Sequence, residues 1–204
     1  MSPRMKFSMT AAALVFASAA AAQTAPATPS RIRGEIVSMS GDTMIAHRTN
    51  ADNVTIAVKP EVVVSTVKNV KLADIKPGTF IGTAATPNAD GKLTATEVLV
   101  FPEAARGSNE GHYPWDLSPT STMTNANVDT VVQGTSGRDL KLSYKGGSKT
   151  GTVPESAPVV TFAPAAHSDL VSGKKVFVIA TLVKAGEYAA QRVIVEKDGV
   201  APPM

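Results

Sequence analysis

The chain has 204 residues, no cysteine and a formal net charge of +3. Without cysteine there is neither a disulfide framework nor a lipid-anchored lipoprotein, so any fold must rest on its apolar core. The basic residues are scattered (Lys59, Lys68, Lys71, Lys76, Lys92), which excludes the basic stripe that a nucleic-acid groove uses to neutralise phosphates.

In chain order the first element is a leader. Arg4 and Lys6 precede an apolar, Ala-rich run over residues 9–22 that ends in Ala20-Ala21-Ala22. A positive start, an apolar middle and small residues at the end predict a signal peptide over 1–22, cleaved near Ala22-Gln23. The run is shorter and more weakly hydrophobic than the ~20 apolar residues that span a bilayer. No later segment has that length and hydropathy either, so no membrane span is expected. A signal of this style on a cysteine-free chain points to the periplasm of a Gram-negative bacterium. Losing Arg4 and Lys6 brings the net charge from +3 to about +1. Residues 23–30 are rich in Ala, Pro and Thr and read as a flexible leader.

From there the pattern is β throughout. Glu35-Ile36-Val37-Ser38-Met39, the turn Ser40-Gly41-Asp42 and Thr43-Met44-Ile45-Ala46 form a hairpin signal. Val54-Thr55-Ile56-Ala57-Val58 alternates cleanly, and Val62-Val63-Val64 follows. Lys76-Pro77-Gly78 predicts a turn, because Pro presets φ and Gly accepts positive φ. Phe80-Ile81-Gly82-Thr83-Ala84, the turn Asn88-Ala89-Asp90-Gly91 and Thr96-Glu97-Val98-Leu99-Val100 complete a first unit.

The same order recurs. Leu140-Lys141-Leu142-Ser143-Tyr144, Val159-Val160-Thr161-Phe162, Val176-Phe177-Val178-Ile179-Ala180 and Arg192-Val193-Ile194-Val195 repeat the strands. Gly78 to Gly173, Gly91 to Gly186 and Val98 to Val193 share one offset of 95 positions, the mark of an internal duplication. The expected fold is all-β: two tandem small OB-like β-barrels over 31–101 and 122–199, with β-sandwich units as the alternative. Closing a barrel hides strand edges. Residues 102–121 form the inter-domain loop and 200–204 a C-terminal tail.

The first unit carries Gly34-x-Ile36-Val37, Gly41-Asp42-Thr43-Met44-Ile45, Val54-Thr55-Ile56-x-Val58, Lys76-Pro77-Gly78-x-Phe80-Ile81-Gly82 and Asp90-Gly91-Lys92-Leu93. This layout resembles the bacterial family of domain of unknown function 5666, and the chain looks like a two-copy member. The second unit fits more loosely, with Ser172-Gly173 for the Pro-Gly and Ala185-Gly186 for the Asp-Gly. The resemblance implies an exported OB-like barrel. It brings no activity and no catalytic residues.

The unrepeated loop holds the only tryptophan, Trp115, beside Tyr113. A linker that spends its one Trp is expected to dock against a barrel, either as a clasp between domains or as a binding site. The candidate contacts for a ligand or partner are Arg106, Glu110, His112, Tyr113, Trp115 and Asp116. Glu110, His112 and Asp116 are also metal-binding types, which keeps a divalent metal as the alternative cofactor, although no HxH or HExxH spacing supports it. His47 and His167 fall in separate units. No G-x-S-x-G elbow, P-loop or GxGxxG occurs. The expectation is therefore a monomeric, non-catalytic binding or scaffolding module with no cofactor, for a protein, glycan or small ligand. A periplasmic metal-handling accessory protein is the alternative.

Overall fold

The computed structural model describes residues 29–49, 51–90, 92–134 and 137–203. The predicted signal peptide, most of the leader, Gly91 of the second turn and the terminal Met204 lie outside the described residues. Thirteen strands follow one another: β1 (Ser30–Ser40), β2 (Thr43–Arg48), β3 (Asn53–Ala57), β4 (Val63–Asn69), β5 (Phe80–Pro87), β6 (Leu93–Val100), β7 (Gly111–Pro114), β8 (Thr122–Gln133), β9 (Gly137–Tyr144), β10 (Gly147–Pro154), β11 (Val159–Pro164), β12 (Lys175–Lys184) and β13 (Glu187–Val195). No helix among the described residues is long and apolar enough to cross a membrane.

Alternation explains the strands. In β3, Val54 and Ile56 are buried while Thr55 and Ala57 are only half-buried. In β2, Met44 and Ala46 point inward in the same way. A period of two places one apolar face inside and one polar face outside.

The pairing then closes a five-stranded barrel. β1 pairs β2, β2 pairs β3, β3 runs parallel to β13, β13 pairs β12, and β12 returns to β1. Ile36, Met44, Ile56, Val178 and Val193 fill its interior. A second circuit has the same form: β8 pairs β9, β9 pairs β10, β10 runs parallel to β6, β6 pairs β5, and β5 returns to β8. Ile81, Val98, Val128 and Leu140 fill this one. The two small β-barrels are thus built as closed circuits rather than as sandwiches.

The expected units 31–101 and 122–199 do not each supply one circuit. The first circuit joins β1, β2 and β3 to β12 and β13 from the far end of the chain. The second joins β5 and β6 to β8, β9 and β10. The two halves exchange their C-terminal hairpins. The turns follow the exchange: the Gly78 N–H donates to Val128 O and the Gly173 N–H donates to Ile36 O, both at 2.8 Å.

The duplication is visible in register. Val98 pairs Val159 across β6 and β11, and Val64 pairs Val193 across β4 and β13. Each residue of the first pair lies 95 positions from one of the second. The bulge at Ala84/Ala85 recurs at Ile179/Ala180. The bulge at Ile36/Ser38 recurs at Val128/Thr130 with an offset of 92. β4 and β11 pair antiparallel at the centre, from Ser65 with Pro164 to Asn69 with Val160, and join the circuits into one sheet. On one face of this junction Val67, Leu99, Val160, Phe177 and Ile194 form a third apolar cluster, with Phe101, Phe162 and Trp115 packed on it.

Candidate functional site

β6 and β13 are walls of the barrels, so alternate residues face into a barrel and out of it. Val98 faces the barrel interior, which turns Glu97 and Leu99 to the opposite side. Val193 does the same in the other barrel, which turns out Arg192 and Ile194. These outward faces meet across the β4/β11 junction, and residues 102–121 cover them. Between them lies a cavity of about 540 Å³. Its floor is Leu99, Phe162 and Ile194, its sides include Arg31, Phe177 and Asn125, and its cover is Tyr113 and Trp115.

The cover is held at several points. Ser121 Oγ donates to Trp115 O at 2.7 Å. Asn125 Nδ2 donates to Ser108 O at 3.0 Å and to Tyr113 Oη at 3.1 Å. Two guanidinium N–H groups of Arg33, in β1, donate to the Asp116 carboxylate at 2.9 and 3.1 Å. Such a fork-on-carboxylate pair fixes orientation as well as distance.

The six residues expected in this loop divide by role. Glu110, Tyr113 and Trp115 line the cavity. Arg106 instead donates to both Glu103 oxygens at 2.6 and 2.7 Å, to Asn127 Oδ1 at 2.6 Å and to Gly78 O at 3.0 Å, clipping the loop to the second barrel. His112 lies against the Tyr144 ring and bonds Thr124 Oγ1 at 2.9 Å. Burial, followed by the Lys149 charge, lowers its pKa. Asp116 is taken by Arg33. The clasp role and the lining role are therefore both present, carried by different residues of one segment; it is not a loop throughout, because His112 and Tyr113 stand on β7, which pairs antiparallel with β8.

Glu110, His112 and Asp116 are not gathered as a metal centre. The Glu110 carboxylate accepts the Lys145 backbone N–H at 2.9 Å, and the other two are engaged as described. Among the described residues no cluster of three or more His, Cys, Asp or Glu side chains forms a metal-binding group.

The most unusual group was not singled out in the sequence. Glu97 is 3 % exposed, and its Oε1 has no hydrogen-bond partner among the described residues. Burial pushes its carboxyl up to about 7, against a smaller opposing pull from Arg33. The Trp115 indole N–H, also buried, has no partner among the described residues. Arg31 stacks 4.1 Å over the Trp115 ring, and Arg192 lies 5.7 Å from the Phe162 ring. One signal for Glu97 was available: it stands next to Val98 in the 95-position repeat, and its equivalent is Arg192. Arg31 and Phe177 carried no local signal, because their strands come from distant parts of the chain.

No family model matches the chain, and neither the curated proteins nor the solved structures yield a match.

Proposed function

We propose that this protein is an exported, non-catalytic binding module whose ligand occupies the cavity beneath residues 102–121. The observation that carries this reading is the Glu97 carboxyl, an unpartnered polar group in the wall of an aromatic cavity. An unsatisfied buried polar atom costs about 1–3 kcal/mol, more when charged. A ligand group that bonds it recovers that cost. A volume of about 540 Å³ lies within the usual range for small-molecule sites, and apolar walls with few polar groups are their usual make-up.

The leader over 1–22 supports export, and the motif resemblance to domain of unknown function 5666 supports an OB-like scaffold for the same role. The test is native mass spectrometry of the protein purified from periplasm. The reading expects a small molecule bound one-to-one. It also expects loss of that molecule in Ile179→Trp, which fills the cavity from β12. A mass equal to the bare chain, together with a Trp115 emission spectrum unchanged by any small molecule offered, would overturn it.

A further inference from the structure

The cavity spans the two repeats, and their equivalent positions have diverged in charge. Glu97 and Arg192 are the same site of the duplicated unit, one acid and one base, and both line the cavity. The charged lining residues are Arg31, Arg192, Glu97 and Glu110. Glu110 already accepts the Lys145 N–H. Arg33 sits behind the wall, its charge matched by Asp116. Arg31 and Arg192 have no acidic partner among the described residues; Arg31 lies 4.1 Å over the Trp115 ring, and the exposed Arg192 has its guanidinium carbon 5.7 Å from the centre of the Phe162 ring.

Building on the binding reading above, we infer that the ligand is a small carboxylate with an apolar or aromatic body. Its carboxylate sits between Arg31 and Arg192, and its body lies on Leu99, Phe162 and Phe177. Three arguments favour an anion. Two unpaired guanidiniums present planar donor forks, the geometry that suits carboxylates. Arg31 lies 4.1 Å over the Trp115 ring, so that ring face is already occupied by a cation and is not open to stack an organic one. The buried Glu97 favours its neutral form, in which its O–H donates to a ligand oxygen.

The test compares three probes of one shape: 4-phenylbutyrate, its neutral amide and the corresponding amine. Calorimetry and thermal melting of the full chain are the readouts. The carboxylate is expected to bind one-to-one and at least about tenfold more tightly than the amide, with no binding by the amine. Arg31→Gln and Arg192→Gln should each weaken the carboxylate about tenfold and leave the amide unchanged. Arg192→Lys, which keeps the charge and loses the fork, should fall between. Glu97→Gln should retain carboxylate binding. Equal binding of amide and carboxylate, or preferred binding of the amine with loss in Glu97→Gln, overturns the anion assignment and leaves the cavity a binding site. No binding by any of the three up to about 10 mM overturns the assignment of the ligand, and the native mass of the periplasmic protein then decides the binding reading by itself.

Discussion

Glu97 and Arg192 stand 95 positions apart in the chain, occupy equivalent places in the two repeats and line one cavity. The strand residues beside them, Val98 and Val193, keep equivalent partners, each in the opposite half: Val159 and Val64. The duplicated scaffold is retained while the residues that face the cavity differ.

The first prediction concerns the buried acid. The folded-state pKa of Glu97 is raised from the usual 4.5 to about 7. The folded protein therefore binds more protons than the unfolded chain between these values, so stability falls as pH rises through that window and levels off above it. The cost of ionisation is on the order of 3 kcal/mol, from about 1.4 kcal/mol per pKa unit. Glu97→Gln should match the parent near pH 4 and exceed its stability by up to that amount at pH 8. Urea unfolding at several pH values measures it, and equal stability at pH 8 would show that Glu97 is solvated.

A second prediction concerns the clasp. Arg33 and Asp116 join residues 83 positions apart. The Asp116 side chain is 41 % exposed, so solvent screens the pair and its contribution stays near 1 kcal/mol or less. Asp116→Asn should lower global stability only by that amount. Its larger effect should be local, a red shift of Trp115 emission as the cover loosens. An unchanged spectrum would mean that Ser121 and Asn125 hold the cover without it.

The exchange of hairpins makes a third prediction. Fragments 29–107 and 108–203 each lack strands needed to close either circuit. Each alone should show no cooperative thermal transition. An equimolar mixture should regain one, because the missing strands of each barrel lie in the other fragment. A cooperative transition in either fragment alone would indicate that a half can close on its own strands.

Two glycines separate steric from conformational cost. A Cβ on Gly34 would stand 2.1 Å from His47 O, a backbone atom of the paired strand. Gly34→Ala should cost about 1–3 kcal/mol or more, as overpacking does. Gly41 has φ +52 and open space around its Cβ direction, so Gly41→Ala should cost only the left-handed strain of about 1–2 kcal/mol. Denaturant midpoints of the two variants give the comparison.

Much of the fold was legible because it depends on local chemistry. The alternation in 54–58 follows from the side-chain period of a strand and the Pro-Gly turn at Gly78 from backbone freedom, while the 95-position offset records the duplication directly. The loop with Trp115 was legible as a docking element because an indole is too apolar to leave in a linker. What the sequence could not decide was the partner of each strand. β5 and β12 are equivalent by duplication and offer β1 and β8 similar apolar faces and matching bulges. Local pattern therefore does not distinguish closure within a repeat from closure between repeats. Only the tertiary structure decides it, through the central β4/β11 pairing and the crossed turns of Gly78 and Gly173. The same decision makes the cavity. Glu97, Arg192, Arg31 and Trp115 meet because exchanged hairpins set the outer faces of two barrels against each other, and no spacing along the chain encodes that meeting.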